Sequence, residues 1–480
     1  GIERREMNFF DYPLLQLNEY EQVRDCLSKG VSCQVTGCRD SQLAHFIHGL
    51  SNGYKQKVFV TFSAMKAKEL YEDLKGFTDD VVMYPAKDVI FFSADVHGSY
   101  ILQQRLEFIQ KVVEDQPFTV IVTADAFLDK IQPLDSIRDN YIEIAEGSIV
   151  EMDALKVKLA KMGYESVVQI DSPGQFAVRG SILDIYTLTD ETPYRIDFWD
   201  NEIDIIKSFD IESQRSIENV ERIKIYPASE YFLDKETIAK GVKKIKSELE
   251  SSVEKFRKEF HTEEANNLKN TVGEFLTNID INPYSVAVDS YVNYFCPQCV
   301  SLLDYLEDAV FFIDEPARVE EQLNAVETEF RESMSHRLEK GYVLAGQTDI
   351  LWQKNEILEK INSRQKILFT TIAQKLKTFQ ADGFVEVDTR NISPYNSKFE
   401  MLVEDLKRYK KQKYAVLLVT SSSTRGRRLA EDLREFQISA FYEEDRERQV
   451  AQEEVMIVKG SLRKGFIYPM IKFAAISDTD

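Results

Sequence analysis

The first third of the chain alternates short apolar runs rich in β-branched residues with segments of helical periodicity. The runs VFVTF (58–62) and TVIVT (119–123) have the length and composition of buried strands, and helical spacing follows each of them, over 63–75 and 126–131. Strands that alternate with helices predict a parallel sheet with helices packed on its faces. We therefore expect the chain to begin with an α/β fold.

A different type of structure is predicted between residues 141 and 228. Strand-like runs follow each other closely there, as FAVRG (176–180), ILDIY (182–186), YRIDFW (194–199) and EIDIIKSF (202–209). The pair Asp200-Asn201 between the last two runs is typical of a hairpin turn. One helix is expected before these strands, so the segment is predicted to be a separate α+β module.

The length of 480 residues exceeds what one hydrophobic core usually supports, because domains typically span roughly 100 to 200 residues. The remaining segments are a mainly helical stretch, broken by an apolar strand at 309–313, and a last α/β unit that begins with FVEVD (384–388). We predict four segments: the first part of a nucleotide-binding-type lobe (1–140), the inserted module (141–228), the second part of the lobe (229–377) and a small α/β domain of unassigned role (378–480).

The overall charge limits the classes of partner. A formal net charge of -21 disfavours binding of a nucleic-acid backbone over a large surface, because such binding depends on clustered lysine and arginine. The five cysteines are too few and too uneven for a disulfide framework, and no apolar run approaches the ~20 residues of a membrane helix. A cytoplasmic protein without a membrane partner is the expectation.

Residues 34–41, QVTGCRDS, lie between a predicted strand and a helix, where a phosphate-binding loop would be found. Such a loop requires G-x-x-x-x-G-K-[ST], because its backbone N–H groups and its lysine neutralise the phosphates and its hydroxyl holds magnesium. Gln34 and Arg39 replace the two glycines, Asp40 replaces the lysine, and only Ser41 keeps its role, with Gly37 inside the loop. We call this segment the degenerate loop and predict that it binds no nucleotide.

An acidic pair, Asp314-Glu315, follows the apolar strand at 309–313. In a nucleotide-binding lobe, an acid in this position holds the metal. The alternative is a strand that simply ends at the surface. We interpret the pair as a relic of a metal site.

No other pattern of reactive residues predicts catalysis or a resident metal. Cys296 and Cys299 have the spacing of half a zinc site, with Cys33 and Cys38 as the only candidates for the other half, and the two pairs are far apart in the chain. His45 and His48 lie three residues apart on the predicted helix after the degenerate loop, a position where packed or solvated histidines are common. We predict no metal ligands and no catalytic residues.

Four stretches carry a resemblance to a known family: PGQFAVRGSILDI (173–185), PYRIDFWDNEID (193–204), FDIESQRS (209–216) and IYPA (225–228). On these residues the chain resembles the N-terminal half of the transcription-repair coupling factors, whose first region is similar to the excision-repair protein UvrB. The resemblance implies a degenerate RecA-like parallel-sheet domain, an inserted α+β module and a C-terminal α/β domain.

The resemblance also separates this chain from UvrB. UvrB has an intact phosphate-binding loop, whereas the coupling factors have lost it, which fits Asp40. UvrB carries an aromatic hairpin that clamps damaged DNA after the position of residues 85–92, and here the sequence passes directly to 93–100 and a helix. Damage recognition by that hairpin is therefore expected to be absent.

In the family, the inserted module binds UvrA, and the contacts that carry over fall on Arg179, Arg195 and Trp199. Side chains alternate along a strand, so Arg195, Asp197 and Trp199 are predicted to share one face of the sheet. An exposed face of arginine and tryptophan is typical of a binding hot spot. The alternative is that Arg179 and Arg195 form surface salt bridges with Asp197 or Asp184, which would contribute little.

These features predict an adaptor that recruits UvrA, and through it nucleotide excision repair, to sites of stalled RNA polymerase. The adaptor would hydrolyse no ATP and need no cofactor. By the resemblance, the ATP- and magnesium-dependent motor and the contacts with RNA polymerase and DNA lie beyond Asp480, and that part would also mask the UvrA face. The alternative is a UvrB-like, ATP-dependent DNA-binding repair protein.

Overall fold

The structure, a computed structural model, describes residues 7–87 and 98–479. The segment before the inserted module contains α1 (Asp11–Leu15), α2 (Asn18–Ser28), β1 (Cys33–Thr36), α3 (Asp40–Leu50), β2 (Gln56–Thr61), α4 (Ala64–Lys75), β3 (Val81–Tyr84), α5 (Gly98–Val113), β4 (Phe118–Thr123) and α6 (Asp135–Arg138). A short 3-10 helix, Ala124–Leu128, stands where an α-helix was expected at 126–131.

The inserted module contains one helix and eight strands, which are β5 (Ile142–Ala145), α7 (Met152–Lys161), β6 (Glu165–Ser166), β7 (Gln175–Arg179), β8 (Ile182–Tyr186), β9 (Tyr194–Trp199), β10 (Glu202–Phe209), β11 (Ser216–Asn219) and β12 (Arg222–Ile225). The chain then forms α8 (Lys235–Lys258), α9 (Thr262–Ile281), α10 (Val292–Phe295), β13 (Val310–Asp314), α11 (Pro316–Lys340), α12 (Lys354–Asn362), β14 (Lys366–Thr370) and β15 (Gly383–Glu386). The last elements are β16 (Arg390–Asn391), α13 (Phe399–Lys411), β17 (Ala415–Thr420), α14 (Ser423–Glu435), β18 (Ala440–Tyr442), β19 (Val455–Lys459), β20 (Phe466–Tyr468) and β21 (Phe473–Ser477).

The first lobe is built on a seven-stranded sheet with the order β15-β1-β14-β13-β2-β4-β3. All its strand pairs are parallel, which confirms the predicted α/β fold with a parallel sheet. β1 and β13 are separated only by β14, so the degenerate loop and Asp314 follow the carboxyl ends of two closely spaced strands.

One strand lies in a different sheet from the one the sequence suggested. The run at 384–388 was assigned to the last unit, but β15 pairs with β1 along Cys33↔Gly383 to Thr36↔Glu386. The edge of the first lobe is therefore completed by chain that follows β14.

The inserted module is joined to the first lobe by two neighbouring segments. Its strands form a six-stranded sheet, β11-β10-β9-β8-β7-β6, and the entering strand β5 pairs antiparallel with the leaving strand β12. At the base of this pair the rings of Tyr141 and Tyr226 stack with centroids 5.4 Å apart. The module is thus connected to the first lobe through the antiparallel pair of β5 and β12.

A buried ionic cluster lies where the chain leaves the module. Arg105 is fully buried and contacts Asp129 through Nη1 at 2.9 Å and Glu230 through Nε at 2.5 Å. Lys87 pairs with Glu230 and, at 2.5 Å, with Asp289. The cluster therefore connects the leaving segment of the module to the first lobe and to the helical region.

The C-terminal unit, residues 390–479, contains a six-stranded sheet of order β16-β20-β21-β17-β19-β18. It shares a hydrophobic core with the first lobe, to which it contributes side chains such as Leu417, Met456 and Phe466. Between the two lies α3, in which every residue after Asp40 is buried. No helix within the described residues is long and apolar enough to cross a membrane.

Candidate functional site

The backbone of the degenerate loop is covered by the chain that follows β15. Gly37 has φ +92, and a Cβ at this position would lie 2.0 Å from the carbonyl oxygen of Val387. Val387 N donates to Thr36 O at 2.9 Å, and Thr389 Oγ1 donates to Gly37 O at 2.6 Å. Glycine is required here because the loop combines a left-handed conformation with this close backbone approach.

Asp40 faces cations of the C-terminal unit. It has φ +51, and its carboxylate oxygens lie 3.7 Å from Arg463 Nη2 and 3.8 Å from Lys464 Nζ. In a working phosphate-binding loop, a lysine at this position faces an anionic ligand. The charges are reversed in this chain, since the loop supplies the anion and a neighbouring segment supplies the cations.

The hydroxyl of Ser41 is fully engaged within the protein. Ser41 is buried, donates from Oγ to Asp73 Oδ1 at 2.9 Å and accepts from Lys464 N at 2.9 Å. Asp73 also accepts from Arg463 Nε at 3.1 Å and from Nη2 at 3.0 Å. Burial raises the pKa of Asp73, and the hydrogen bonds from Arg463 act in the opposite direction.

The two residues that replace the loop glycines have local structural contacts. Gln34 is buried and donates from Nε2 to Thr370 Oγ1 at 2.9 Å, which links β1 to the end of β14. Arg39 precedes α3, and its backbone N donates to Gln42 Oε1 at 3.1 Å. Both contacts stabilise the fold around the loop.

The acidic pair after β13 splits into two environments. Asp314 is buried, accepts from Thr61 Oγ1 at 3.1 Å and lies 3.8 Å from Lys66 Nζ. Burial raises the pKa of Asp314. Glu315 has φ +47 and accepts from the backbone N of Thr371 at 2.6 Å. Only Asp314 therefore faces the degenerate loop.

The space between Asp40 and Asp314 is small. A cavity of about 20 Å³ separates them, and its other walls come from Phe59, Lys66, Leu70, Asp73 and Arg463 among others. Such a volume holds about one water molecule, whereas pockets for nucleotide-sized ligands enclose roughly 300–1,000 Å³. The side chains of the protein thus leave space for about one water molecule between the two acids.

Within the described residues, the cysteines and histidines singled out in the sequence form no cluster of three or more potential metal ligands. Within residues 7–87 and 98–479, no group of three or more His, Cys, Asp or Glu side chains is arranged to hold a metal ion. His45 contacts Tyr468 OH through Nδ1 at 2.8 Å, and the ring of His48 stacks on Phe77 with centroids 5.7 Å apart. The segment in which the UvrB hairpin was predicted to be absent includes residues 88–97, which lie outside the described part of the chain.

The second candidate site is the outer face of the inserted module, which we define as the outward-facing residues of β7, β8, β9 and β10. Pairing of Arg179 with Ile182, and of Ile182 with Asp197, places these three side chains in one row across the sheet. Arg179 is exposed, and no hydrogen bond or ion pair joins its side chain to another described residue. It is available to a partner.

Arg195 is held within the module. Its Nε and Nη2 donate to the two carboxylate oxygens of Asp184 at 2.8 and 3.0 Å, and Nη2 also donates to Gln214 Oε1 at 3.1 Å. The guanidinium lies over the ring of Phe209, 4.3 Å from its centroid. Of the two acids considered as salt-bridge partners, Asp184 forms the pair, in the bidentate geometry that gives strong charge-assisted hydrogen bonds.

Trp199 and Ile149 are exposed apolar residues on either side of Glu202 at one end of the outer face. Trp199 pairs across the sheet with Glu202, and Glu202 also bridges to Ile149 on its other side, so the three side chains share a row. Trp199 is 76% exposed and Ile149 is 84% exposed. Ile149 was not predicted from the sequence, because no periodic pattern includes it.

Comparison with known proteins relates these features to one family. The family model described as the UvrB interaction domain matches residues 142–231, which include the whole inserted module. The transcription-repair-coupling factor of Bacillus subtilis is 27% identical over 475 residues, which cover 96% of this chain and 39% of that protein. Its counterpart in Staphylococcus epidermidis is 24% identical over 450 residues, covering 93% of this chain and 38% of that protein.

The predicted resemblance is thus confirmed, since the chain is similar to transcription-repair-coupling factors over nearly its whole length. It spans about two fifths of the length of these relatives. Among solved structures, an XPD helicase aligns with 95% of the chain at 8% identity and a TM-score of 0.25, a likeness too low to bear on function.

Proposed function

We propose that this chain is the adaptor region of a transcription-repair coupling factor and recruits UvrA through the outer face of its inserted module. The observation that carries this proposal is the coincidence of two independent facts. The UvrB interaction domain matches residues 142–231, and the same segment presents on one sheet face an exposed tryptophan and an exposed arginine that has no partner among the described residues. An exposed tryptophan combined with an arginine on one face is typical of a binding hot spot.

The residues of the outer face have different roles in the proposed contact with UvrA. Arg179 and Trp199 are exposed and free to touch UvrA, and Ile149 extends the apolar part of the face beyond Trp199. Tryptophan and arginine are the residue types that most often dominate binding energy. Arg195 acts as a positioning residue, because its guanidinium joins β9 to Asp184 of β8 and to the loop at Gln214.

We further propose that this chain neither binds nor hydrolyses ATP. Three features of the degenerate loop support this proposal: the carboxylate of Asp40 in the place of a cation, the covered backbone of Gly37, and the cavity of about 20 Å³ beside Asp314. A triphosphate would lie against the carboxylate of Asp40 and compete with it for Arg463 and Lys464, and like charges at ~4 Å repel by several kcal/mol at intermediate dielectric. Contacts with RNA polymerase and DNA, and any need for ATP and magnesium, are assigned to the part of the relatives that this chain does not cover.

Capture of purified UvrA by the immobilised chain tests the adaptor proposal. The wild-type chain should retain UvrA, and Arg179→Ala and Trp199→Ala should each reduce the retained amount at least about tenfold, the effect expected of hot-spot residues. Val168→Asp is the matched control, because Val168 is 98% exposed in the same module but lies outside the row of Trp199. Failure of the wild-type chain to retain UvrA would contradict the proposed function.

A further inference from the structure

The contact between the degenerate loop and the C-terminal unit combines several polar interactions in a small space. Arg463 and Lys464 lie against Asp40, Arg463 also makes two hydrogen bonds to Asp73, and Lys464 N donates to Ser41 Oγ. Nearby, the chain passes so close to the end of α4 that a Cβ on Gly76 would lie 2.2 Å from Ser461 O. The segment 461–464 is therefore fitted to this surface in both charge and shape.

We propose that the degenerate loop is a docking site for the basic segment Arg463–Lys464 of the same chain, and that this contact fixes the orientation of the C-terminal unit on the first lobe. The loop lies between β1 and α3, as a phosphate-binding loop does. It faces two cationic side chains, whereas a phosphate-binding loop faces an anionic ligand. The replacement of lysine by aspartate thus supplies a new binding function at the old site.

Apart from the contacts of Gln42 and His45 with Tyr468 OH, much of the interface between α3 and the C-terminal unit is apolar. Leu462, Phe466 and Tyr468 of the C-terminal unit pack in the same core as Leu43 and Phe46 of α3. Apolar burial favours association but is not directional, whereas charge-assisted hydrogen bonds have defined geometry. The apolar core therefore favours association of the two parts, and the acidic loop, together with the Tyr468 contacts, sets how they are aligned.

The position of the ionic groups makes the contact sensitive to charge. The side chains of Asp40 and Arg463 are 33% and 29% exposed, so water screens them only partly, and Asp73 beneath them is buried. A cation at position 40 would face Arg463 and Lys464 at less than ~4 Å, and like charges at that range repel strongly outside bulk water. Such a change should loosen segment 461–468 without reaching the inserted module.

Hydrogen–deuterium exchange measured by mass spectrometry tests this proposal on the whole chain. The single variants Asp40→Lys and Lys464→Asp each place like charges in the contact, and exchange in peptides covering 461–468 should become on the order of tenfold faster. The double variant replaces the repulsion between positions 40 and 464 by an attraction but leaves Arg463 facing the new lysine, so exchange should fall clearly below that of Asp40→Lys without reaching the wild-type rate. Asp40→Asn removes the charge while asparagine tolerates the positive φ, so this variant should give an intermediate increase in the exchange rate.

Two controls separate release of the contact from general loss of stability. Arg427→Asp breaks an ion pair with Glu444 on the surface of the same unit and should leave exchange at 461–468 unchanged. Peptides from β7–β10 serve as an internal reference and should exchange as in wild type. The proposal is overturned if the single variants leave exchange at 461–468 unchanged, if the double variant exchanges as fast as Asp40→Lys, or if exchange rises uniformly along the chain.

Discussion

Arg195 and Asp184 face each other on neighbouring strands of the inserted module and form a bidentate pair, with Nε and Nη2 of the guanidinium 2.8 and 3.0 Å from the two carboxylate oxygens. Because the Arg195 side chain is only 19% exposed, the pair is partly shielded from water. A residue that the family resemblance assigned to the partner surface is thus also part of the module's own framework.

Substitution of Arg195 by alanine should therefore lower stability as well as UvrA capture. Removal of the guanidinium leaves Asp184 without its main partner and exposes Phe209, at a cost of about 1–3 kcal/mol in the free energy of unfolding. Chemical denaturation measures this change. Arg179→Ala is the comparison, since it should reduce UvrA capture with an unfolding curve like that of wild type. Unchanged stability in Arg195→Ala would contradict the positioning role.

The apolar end of the outer face should make its own contribution to UvrA binding. Ile149→Asp introduces a charge beside Trp199 at a position that is 84% exposed, so the chain should fold normally while the dissociation constant for UvrA rises about tenfold or more. Surface plasmon resonance with purified UvrA measures the change. If Ile149→Asp and Val168→Asp bind equally well, the face does not extend to Ile149.

Restoration of the lysine should not restore nucleotide binding. Asp40→Lys returns the cation of a phosphate-binding loop, but the Gly37 backbone stays covered by residues 387–389 and Ser41 stays bonded to Asp73. Isothermal titration with ATP and magnesium should show no saturable binding up to millimolar concentration for the wild-type chain or the variant. Micromolar affinity in the wild-type chain would favour the UvrB-like ATPase instead.

A pair of glycines distinguishes backbone strain from steric conflict at the loop. Gly37 and Gly53 both have φ +92, but a Cβ would meet Val387 O at 2.0 Å only at Gly37, since nothing lies within 4 Å of Gly53. Gly53→Ala should cost about 1 kcal/mol from the left-handed conformation alone, and Gly37→Ala about 3 kcal/mol or more because β15 must also move. Equal losses in the two variants, measured by denaturant unfolding, would contradict the close approach.

Stability should depend on pH through Asp125. Burial, with a further contribution from Asp129, raises the pKa of Asp125 to about 6. An acid with a raised pKa binds its proton more tightly in the folded state, so the free energy of unfolding falls as pH rises from about 4, its usual range, to about 6. Asp125→Asn removes this penalty and should stabilise the chain by about 1–2 kcal/mol at pH 7 but not at pH 4.

Thermal melts of Asp125→Asn at these two pH values provide the measurement. Asp139→Asn, at an exposed position 14 residues later, is the control. It should leave the difference in melting temperature between pH 7 and pH 4 as it is in the wild-type chain. An equal effect of Asp125→Asn at both pH values would show that the carboxyl titrates normally.

Local sequence patterns predicted where the strands lie better than they predicted which strands and side chains pair with each other. Alternation along β9 placed Arg195, Asp197 and Trp199 on one face, but only the register of β8 against β9 decides that Asp184 rather than Asp197 pairs with Arg195. In the same way, the run at 384–388 was recognised as a strand, yet so short a run carries no information about which sheet it will join.

Contacts between distant parts of the chain were the least predictable. Arg463 and Lys464 look like ordinary solvated residues of a loop in the sequence, and their role depends on Asp40 and Asp73, about 400 residues earlier. Ile149 lies in an irregular segment and gains its place beside Trp199 only through the bridge to Glu202. Both sites result from tertiary packing, which overrides local periodicity.

The antiparallel pairing of β5 with β12 has a consequence for how the module could be moved between proteins. Because neighbouring strands lie about 5 Å apart, the two ends of the module leave its base side by side, beneath the stacked rings of Tyr141 and Tyr226. A surface hairpin of an unrelated scaffold has the same spacing between its strands. Transplanting residues 141–226 into such a hairpin would carry the recruiting surface to a new host without stretching the junction.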